Sequence, residues 1–450
     1  MFSLFKKYDV GIFEYLYMFV MVIYLGQMTP QTGRMVGTIS GDPVPFLLPI
    51  VLTVILVFKN PISFLNRRLT FVLIIFAIWS ILTIEQYHLF NNNELSYYFF
   101  LFYSIIVAYI HVQVFGKKLL PIYEDIVVKL CAFSLLLWTW AYFDSSSIPF
   151  FKQFDQTSYG NNFYYLFNWM DPTGDQVYEG IPRNAGFSWE PGRFSICVVL
   201  ALLCNIARNG ITFLNFNVIV MLAAIASTLS TTGYVAAGVL YIIAFTHKLN
   251  TQKTLLFFFI LVPTLIGVSQ LGFMQKKIEE QLSVETNLKQ LEKTFNYNTE
   301  NADEGEYLAS LERFTAMYFE WDNVRDKPIL GYGRNPENSY FYEEVSSNFA
   351  LTGGLVKLLA QYGIPLGVFL YFLLLFSSFR LNRDYPEVSK VGLFFTFIVC
   401  SISYAMFTIP VFTAFWFYGI FYKDEKEEEE KKKERITSEE IMKILQKALK

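Results

Sequence analysis

Runs of about twenty mostly apolar residues recur along the chain, and they constrain the fold more than any other feature. A helix of about 20 such residues is long enough to cross the hydrocarbon core of a bilayer. The runs cover residues 10–28, 44–59, 69–86, 97–115, 126–143, 193–208, 211–229, 231–247, 254–273, 361–379, 389–408 and 409–422. The sequence therefore predicts an all-α polytopic membrane protein with about twelve transmembrane helices.

The composition agrees with this interpretation and excludes several other classes. Apolar residues make up 54% of the 450 residues and charged residues only 17%, whereas an ordinary soluble protein carries about 25% charged residues. The chain therefore lacks the charged shell of a soluble enzyme and is too apolar for a disordered protein. Its net charge of -3 offers no basic field for nucleic acid. All four cysteines lie in apolar runs, where they predict neither a disulfide nor a metal site.

Lysine and arginine in the short loops indicate the side of the membrane that each loop occupies. These basic residues all fall on one side if the spans are correct: Lys6, Lys7, Lys59, Arg67, Arg68, Lys117, Lys118, Arg208, Lys248, Lys253, Arg380, Arg383 and Lys390. The short loop 86–96, on the opposite side, has none. Because short cytoplasmic loops are enriched in Lys and Arg, both the N- and C-termini are predicted to be cytoplasmic.

The spans and loops divide the chain into six segments. In order, they are transmembrane helices 1–5 (1–143), a first long outer loop (144–192), transmembrane helices 6–9 (193–273), a large outer loop (274–360), transmembrane helices 10–12 (361–422) and a charged cytoplasmic tail (423–450). The large loop is predicted to be helical. Its apolar residues recur with helical spacing and define one face: Tyr307, Leu311, Phe314, Tyr318 and Trp321.

The first outer loop ends in a segment that carries a candidate site. Residues 183–193 read Arg-Asn-Ala-Gly-Phe-Ser-Trp-Glu-Pro-Gly-Arg and directly precede a span. One interpretation is structural, with Glu190 capping the helix, Pro191 in its first turn and the arginines anchored at the membrane interface. However, the positive end of the helix dipole disfavours Arg193 in the first turn unless an anion binds there. The alternative is a pyrophosphate held by Arg183 and Arg193.

The large outer loop holds a second group of candidates. Arg313 lies on the predicted amphipathic helix, and residues 328–334 read Pro-Ile-Leu-Gly-Tyr-Gly-Arg. Gly331 and Gly333 permit a tight turn and the close approach of a ligand to the backbone, although a plain turn explains them as well. Residues 274–345 contain eight Lys and Arg against fifteen Asp and Glu. Ion pairs are therefore an alternative explanation for each arginine of this loop.

Several features together resemble the bacterial O-antigen polymerases of the Wzy type. The segment 183–192 has the form Arg-x-x-Gly-Phe-x-x-Glu-Pro-Gly, and Ser-Thr-Thr-Gly at 230–233 separates two spans. The large loop contains Pro-Ile-Leu-Gly-Tyr-Gly at 328–333, and Gly-Ile-Pro-Leu-Gly at 363–367 then leads into a span. The resemblance covers most of residues 180–380. The order and sidedness of these motifs are more specific than any one of them.

The resemblance implies a GT-C-like membrane glycosyltransferase of the bacterial inner membrane, with its active site facing the periplasm. Such an enzyme polymerises oligosaccharide repeat units, carried on undecaprenyl diphosphate, into O-antigen or a related surface polysaccharide. Its partners are this lipid-linked oligosaccharide, membrane lipids, a chain-length regulator and a flippase, with no nucleic acid. No metal or cofactor is expected, because the diphosphate is already a good leaving group that arginines can stabilise.

The same resemblance and the chemistry of the side chains suggest a role for each candidate. Glu190 is the best-placed base for the acceptor hydroxyl, and Arg193 is the second catalytic candidate. The diphosphate would be bound by Arg183, Arg193, Arg313 and Arg334, and the sugars by Trp189, Tyr332 and Asn338. Phe187 is expected to be an aromatic residue of the membrane interface.

Two other functions remain as alternatives. An O-antigen ligase would transfer the polysaccharide to lipid A-core, but ligases of the related family typically carry a histidine shortly before the Gly-Ile-Pro-type motif. This chain has Thr352, Gly353 and Gly354 there, and no histidine in 274–360. A transporter or flippase would usually show two similar halves and polar residues at mid-membrane, and neither is evident here. Thr231 also replaces an arginine found in many relatives, so no charged role is transferred to it.

Overall fold

The structure, a computed structural model, consists mainly of helices. It describes residues 10–25, 44–88, 92–143, 161–163, 167–170, 182–188, 190–248, 309–310, 313–345, 349–351 and 353–422. The helices within these residues are α1 (Ile12–Leu25), α2 (Val44–Lys59), α3 (Arg67–Tyr87), α4 (Asn92–Phe115), α5 (Leu119–Phe143), α6 (Pro191–Asn209), α7 (Phe216–Thr228), α8 (Thr231–Lys248), α9 (Arg313–Asp326), α10 (Leu355–Asp384), α11 (Gly392–Ser403), α12 (Pro410–Trp416) and α13 (Tyr418–Phe421).

The predicted spans agree in position with these helices wherever the structure describes them. Within the described residues, four segments are long and apolar enough to cross a membrane: Arg67–Tyr87, Leu95–Phe143, Pro191–Asn209 and Leu355–Asp384. Shorter apolar helices account for other predicted spans. α12 has seven residues, or about 10 Å, and is too short to cross alone. The chain is thus a multi-pass helical membrane protein, and the number twelve remains a prediction. The predicted span 254–273 lies outside the described residues.

The centre of the bundle is α6. In the apolar stretch of α6, 94% of the residues are buried inside the protein, whereas in that of α3 only 33% are buried. Phe71, Ile74 and Ile78 of α3 are exposed. α6 packs against α5, α7, α8 and α11. A helix that is apolar all round belongs in the interior of a bundle, whereas the apolar exposed face of α3 suits contact with lipid. The N-terminus of α6, which carries the first candidate site, is therefore held on all sides by protein.

Helix α10 is folded sharply at Gly363. This residue has φ 74° and ψ 162°, a conformation that is almost restricted to glycine. The Tyr371 hydroxyl donates to the Leu355 carbonyl at 2.6 Å across a separation of 16 residues, which a straight helix would place about 24 Å apart. α10 is therefore a helical hairpin. Its short arm, residues 355–362, folds back on its long arm, residues 364–384.

Short strands lie in the two predicted outer loops, an addition to the all-α prediction. β1 (Asn161–Phe163), β2 (Phe167–Met170) and β3 (Arg183–Gly186) form an antiparallel sheet in that order. β4 (Ala309–Ser310) pairs in parallel with β5 (Phe349–Ala350). The first sheet connects its loop to the bundle, since β3 packs against α5, α6 and α7.

The apolar face predicted for the outer-loop helix is present on α9 but is not the face that α9 buries. Phe314, Tyr318 and Trp321 are 36%, 47% and 43% exposed. The opposite face is buried instead and includes Phe319 and Glu320. This face packs on α10, where Lys357 lies 3.9 Å from the Glu320 carboxylate. The buried face thus includes a charged residue with a basic partner, a contact that apolar periodicity does not reveal.

The basic residues predicted to share one side meet acidic partners at the end of the bundle away from Arg193. Lys117 pairs with Asp384 at 3.6 Å, and Arg208 pairs with Glu124 at 2.5 Å. Lys248 pairs with Glu387. These contacts join loops that are far apart in the sequence. They bring the predicted cytoplasmic charges together at one end, whereas the side of the membrane on which that end lies remains a prediction.

Candidate functional site

The first candidate segment leads from β3 into the first turn of α6. Glu190 occupies the N-cap position with φ -143° and ψ 153°, and Pro191 is the first helical residue. Proline is favoured there because its missing N–H has no helical partner to lose. The Glu190 side chain makes no capping hydrogen bond. Arg193 is 7% exposed, and its guanidinium donates to the Leu25 carbonyl at 3.4 Å. The predicted helix start is thus observed, with a cation buried in its first turn.

Two of the predicted arginines meet at one aromatic ring. The Cζ atom of Arg193 lies 5.3 Å from the ring centre of Tyr404, and that of Arg313 lies 5.1 Å from the same centre. Arg313, the first residue of α9, also donates to the Ser403 carbonyl at 3.4 Å. We call Arg193, Arg313, Ser403 and Tyr404 the arginine–tyrosine cluster. It joins the ends of both predicted outer loops.

Several helices begin around this cluster. In the first turn of α8, the Thr232 hydroxyl shares a hydrogen bond of 2.6 Å with the Ser403 hydroxyl. Gly354, which precedes the short arm of α10, donates its N–H to the Ser401 carbonyl at 2.9 Å and lies against the Tyr404 backbone. Gly192 lies against the Tyr404 hydroxyl. Helix N-termini carry a partial positive charge and bind anions, so this geometry favours an anionic ligand at the cluster.

Arg183 has a different position from the one expected of a diphosphate ligand. Its Nε donates to the Thr228 carbonyl at 3.2 Å, and a terminal nitrogen donates to the Leu229 carbonyl at 3.5 Å. These carbonyls belong to the C-terminal end of α7, where a cation is favoured by the helix dipole. Arg183 therefore holds the turn that carries Thr232 into the cluster. Its predicted role toward a diphosphate stays a prediction.

Arg334 lies at the other end of the short arm of α10. Its guanidinium donates to the Tyr362 hydroxyl at 3.2 Å and to the Gln361 side-chain oxygen at 3.5 Å. The turn before it has Gly331 at φ 75° and Gly333 at φ 79°. An added Cβ at Gly331 would meet the backbone around Gln361. The two glycines thus permit close approach of the turn to a helix.

Of the three predicted sugar-binding residues, the structure describes Tyr332 and Asn338. Tyr332 is 2% exposed and packs with Val324 and Ala360, and this burial raises the pKa of its hydroxyl well above the usual value. Its ring is a core residue here and has no open face for a sugar. Asn338 is partly buried at the end of a 3₁₀ turn, Pro336–Asn338. Trp189 lies outside the described residues. Phe187, expected at the membrane interface, is fully buried against Phe194.

Sequence reasoning missed Tyr404, Ser403 and the buried ion pair beneath α9. Asn323 donates to the Glu320 carboxylate at 3.0 Å, and burial raises the pKa of this carboxyl while Lys357 lowers it. The pair fastens α9 to the short arm of α10. Ser403 and Tyr404 lie within the predicted span 389–408, and no local motif distinguishes them. Only their contacts with residues distant in the sequence reveal a role.

One comparison with known proteins identifies a relationship. Residues 216–375 match a family model described as O-antigen ligase. This stretch runs from α7 into the long arm of α10 and contains Arg313 and Arg334, whereas Arg193 and Tyr404 lie outside it. No curated protein matches the chain. The match supports a role in surface polysaccharide assembly of the ligase or polymerase kind, without distinguishing the two reactions. The predicted relationship is confirmed at this level: through residues 216–375 the chain is related to the O-antigen ligase superfamily.

Proposed function

We propose that this protein polymerises lipid-linked oligosaccharide repeat units into O-antigen or a related surface polysaccharide. It would transfer the growing chain from undecaprenyl diphosphate to the sugar of the next lipid-linked unit, at the periplasmic face of the bacterial inner membrane. The observation that carries the proposal is the arginine–tyrosine cluster. Arg193 and Arg313 come from the two predicted outer loops and lie over one ring, among helix N-termini.

The cluster would bind the diphosphate of the donor. Guanidinium groups form strong, charge-assisted hydrogen bonds to phosphate oxygens, and the N-termini of α6, α8, α9 and the short arm of α10 add N–H groups of the same polarity. The two arginines have the same charge and share one ring. An anion between them would relieve their repulsion. This is the arrangement that a diphosphate requires.

The reaction exchanges one glycosidic bond for another. An oxygen of the acceptor hydroxyl attacks the anomeric carbon of the donor sugar, and the bond from that carbon to the diphosphate oxygen breaks. The electron pair leaves with the diphosphate, whose developing charge the two arginines stabilise. The hydroxyl proton passes to a base. Glu190, at the N-cap of α6 and in the turn before Arg193, is the proposed base. The step requires no metal ion, because the arginines supply the positive charge.

Ligation is the second candidate, since the matching family model carries that name. The sequence lacks the histidine that ligases typically carry shortly before the motif at residues 363–365. Close packing also excludes a side chain at one of the three positions 352–354, because an added Cβ at Gly354 would overlap the Tyr404 backbone. We therefore favour polymerisation.

Deletion of the gene and inspection of the surface polysaccharide test the proposal. Loss of the ladder of long chains, with single repeats still attached to the acceptor, is expected of a polymerase. Loss of every attached repeat, with an accumulated lipid-linked donor at the outer leaflet, would contradict polymerisation and indicate a ligase. Loss of every repeat without that accumulation would indicate a flippase.

Complementation of the deletion strain tests the residues. Arg193→Ala and Glu190→Gln should fail to restore long chains while the protein remains inserted and abundant. Matched controls are Arg325→Ala and Glu337→Gln, because Arg325 pairs with Asp322 on the surface of α9 and Glu337 is exposed. Both controls should restore the full ladder. Long chains from either test variant would remove that residue from the mechanism.

A further inference from the structure

Arg334 carries a charge that the described residues do not neutralise. No carboxylate of the described part of the chain lies within 4.0 Å of its guanidinium. Its two hydrogen bonds go to neutral oxygens of Gln361 and Tyr362. The Nε atom is buried, and among the described residues it has no hydrogen-bond acceptor. A partly buried guanidinium without a counterion is costly, which indicates that an anion completes the site.

The helix end beside Arg334 does not explain this charge. Cations do stabilise C-terminal helix ends by binding the last carbonyls. Here the Ala360 carbonyl accepts the Tyr332 N–H at 2.9 Å, and the Gln361 carbonyl accepts the Gly333 N–H at 3.1 Å. In the described part of the chain, the Arg334 guanidinium donates to the side chains of Gln361 and Tyr362 and not to these carbonyls.

A second donor close to Arg334 in the chain is also unsatisfied. The Nδ2 atom of Asn338 is buried, with no acceptor in the described part of the chain. A buried polar atom is seldom left without a partner. Residues 334–338 thus contain two buried N–H donors for which the described residues offer no acceptor. Unsatisfied donors match an oxyanion and not a cation.

Arg334 and the arginine–tyrosine cluster lie at opposite ends of one element. Gly354, at the start of the short arm of α10, lies against the Tyr404 backbone, whereas Gln361 and Tyr362, at its end, contact Arg334. This length of helix spans about 12 Å. Arg334, Gly354, Ser401 and Ala405 also line one cleft. Arg334 therefore lines a cleft together with Gly354 and Ser401, which neighbour the arginine–tyrosine cluster.

We infer that Arg334, with Asn338, forms a second anion subsite, at the opposite end of the short arm of α10 from the diphosphate cradle. Its occupant is an oxyanion of the lipid-linked substrates, either the diphosphate of the second lipid-linked unit or an acidic group on a sugar of the chain. The inference rests on the proposed function, which provides the first site. It assigns Arg334 to a different subsite from Arg193 and Arg313.

Binding of two small probes to the purified full chain in lipid nanodiscs tests this subsite. Titration calorimetry with inorganic pyrophosphate and with glucuronic acid, and with glucose as the neutral control, is carried out on wild type, Arg334→Gln, Arg193→Gln and Arg325→Gln. Loss of a charge-assisted hydrogen bond weakens binding by about tenfold or more. Arg334→Lys keeps the charge and serves as the conservative variant. Size-exclusion profiles and thermal unfolding midpoints establish that each variant is folded.

Two results would support the subsite and identify its occupant. Two pyrophosphate sites in wild type and one in Arg334→Gln mean that the second anion is a diphosphate. One pyrophosphate site in both proteins, together with glucuronic acid binding that Arg334→Gln loses, means an acidic sugar. Arg325→Gln should match wild type throughout, and glucose should show no dependence on Arg334.

Equal binding of both acidic probes by wild type and Arg334→Gln overturns the inference. If Arg334→Gln is not recovered folded, Arg334→Lys decides in its place, and unchanged binding of both probes by that variant overturns the inference as well. Failure of the proposed function has a separate signature. Pyrophosphate binding that is unchanged in Arg193→Gln contradicts the cradle at Tyr404, whatever the Arg334 variants show.

Discussion

The guanidinium of Arg193 lies over the ring of Tyr404, 5.3 Å from its centre, although almost half of the chain separates the two residues. The ring is also shared by Arg313 at 5.1 Å. An aromatic face attracts a cation through its quadrupole, with about 0.5–2 kcal/mol for each contact. Tyr404 therefore provides a common support for two like charges that would otherwise repel each other. We regard it as the positioning residue of the proposed site.

Replacement of Tyr404 should separate the contribution of the ring from that of the hydroxyl. Tyr404→Phe keeps both cation–π contacts, and we expect it to restore most of the long chains in a deletion strain. Tyr404→Ala removes both contacts and should reduce long chains by at least about tenfold, the equivalent of 1.4 kcal/mol. The polysaccharide ladder, normalised to protein abundance in the membrane, measures the effect. Equal ladders from the two variants would contradict a role for the ring.

Arg183→Ala should lower the stability of the protein, and its effect on sugar transfer should follow from that loss of stability. The change removes donors from the Thr228 and Leu229 carbonyls, and leaving such acceptors unsatisfied costs about 1–3 kcal/mol. We expect a lower thermal unfolding midpoint of the solubilised protein and a lower abundance in the membrane. Arg193→Ala, by comparison, should reduce long chains at nearly normal abundance. Normal stability of Arg183→Ala with loss of long chains would instead support its predicted contact with the diphosphate.

Gly363→Ala should destabilise the helical hairpin of α10. Its φ of 74° and ψ of 162° cost about 1–3 kcal/mol for a residue with a side chain, and the added Cβ would also meet the Ile329 carbonyl. Gly238→Ala in α8 is the matched control, because nothing lies within 4 Å of its added Cβ. Alanine in a helix interior is favoured over glycine by up to about 1 kcal/mol. If Gly363→Ala and Gly238→Ala shift the thermal unfolding midpoint in the same direction, this result contradicts the hairpin.

Glu320 should give the stability of the folded protein a pH dependence that the Glu320→Gln variant lacks. Burial raises the pKa of this carboxyl above its ordinary 4.5, so the folded protein holds the proton more tightly than the unfolded chain does. The resulting stability is fully present below about pH 4.5 and is lost as the pH rises through the raised value. The unfolding midpoint of wild type relative to Glu320→Gln should therefore fall with rising pH. A relative midpoint that rises with pH would mean that Lys357 outweighs burial.

The positions of the helices could be predicted well because their cause is local. A run of about twenty apolar residues forms a helix in a bilayer whatever its neighbours are, since its backbone must satisfy its own hydrogen bonds there. The start of α6 at Pro191 followed from residues next to one another in the chain. The face that a helix buries was harder to predict. On α9, the face that carries Glu320 is buried, whereas Phe314 and Trp321 of the apolar face are exposed.

The candidate site was predictable in part. The sequence identified Arg193 and Arg313 as cations in polar loops, because arginine is rare and costly in so apolar a chain. It also grouped them with Arg183 and Arg334, which the structure places elsewhere. The difference could not be read from the sequence, since all four arginines have the same local signals. The partner of each side chain distinguishes them: an aromatic ring, the end of α7, or the end of the short arm of α10.

By itself, the sequence determined that the chain is a multi-pass helical membrane protein, where its helices lie and which loops concentrate the polar side chains. These properties depend on hydropathy over some twenty neighbouring residues. Only the tertiary structure decided that Tyr404 joins Arg193 to Arg313, that α10 folds back at Gly363 and that Arg334 occupies a separate position. Such contacts join residues far apart in the chain, and they form only when the packing of whole helices brings those residues together.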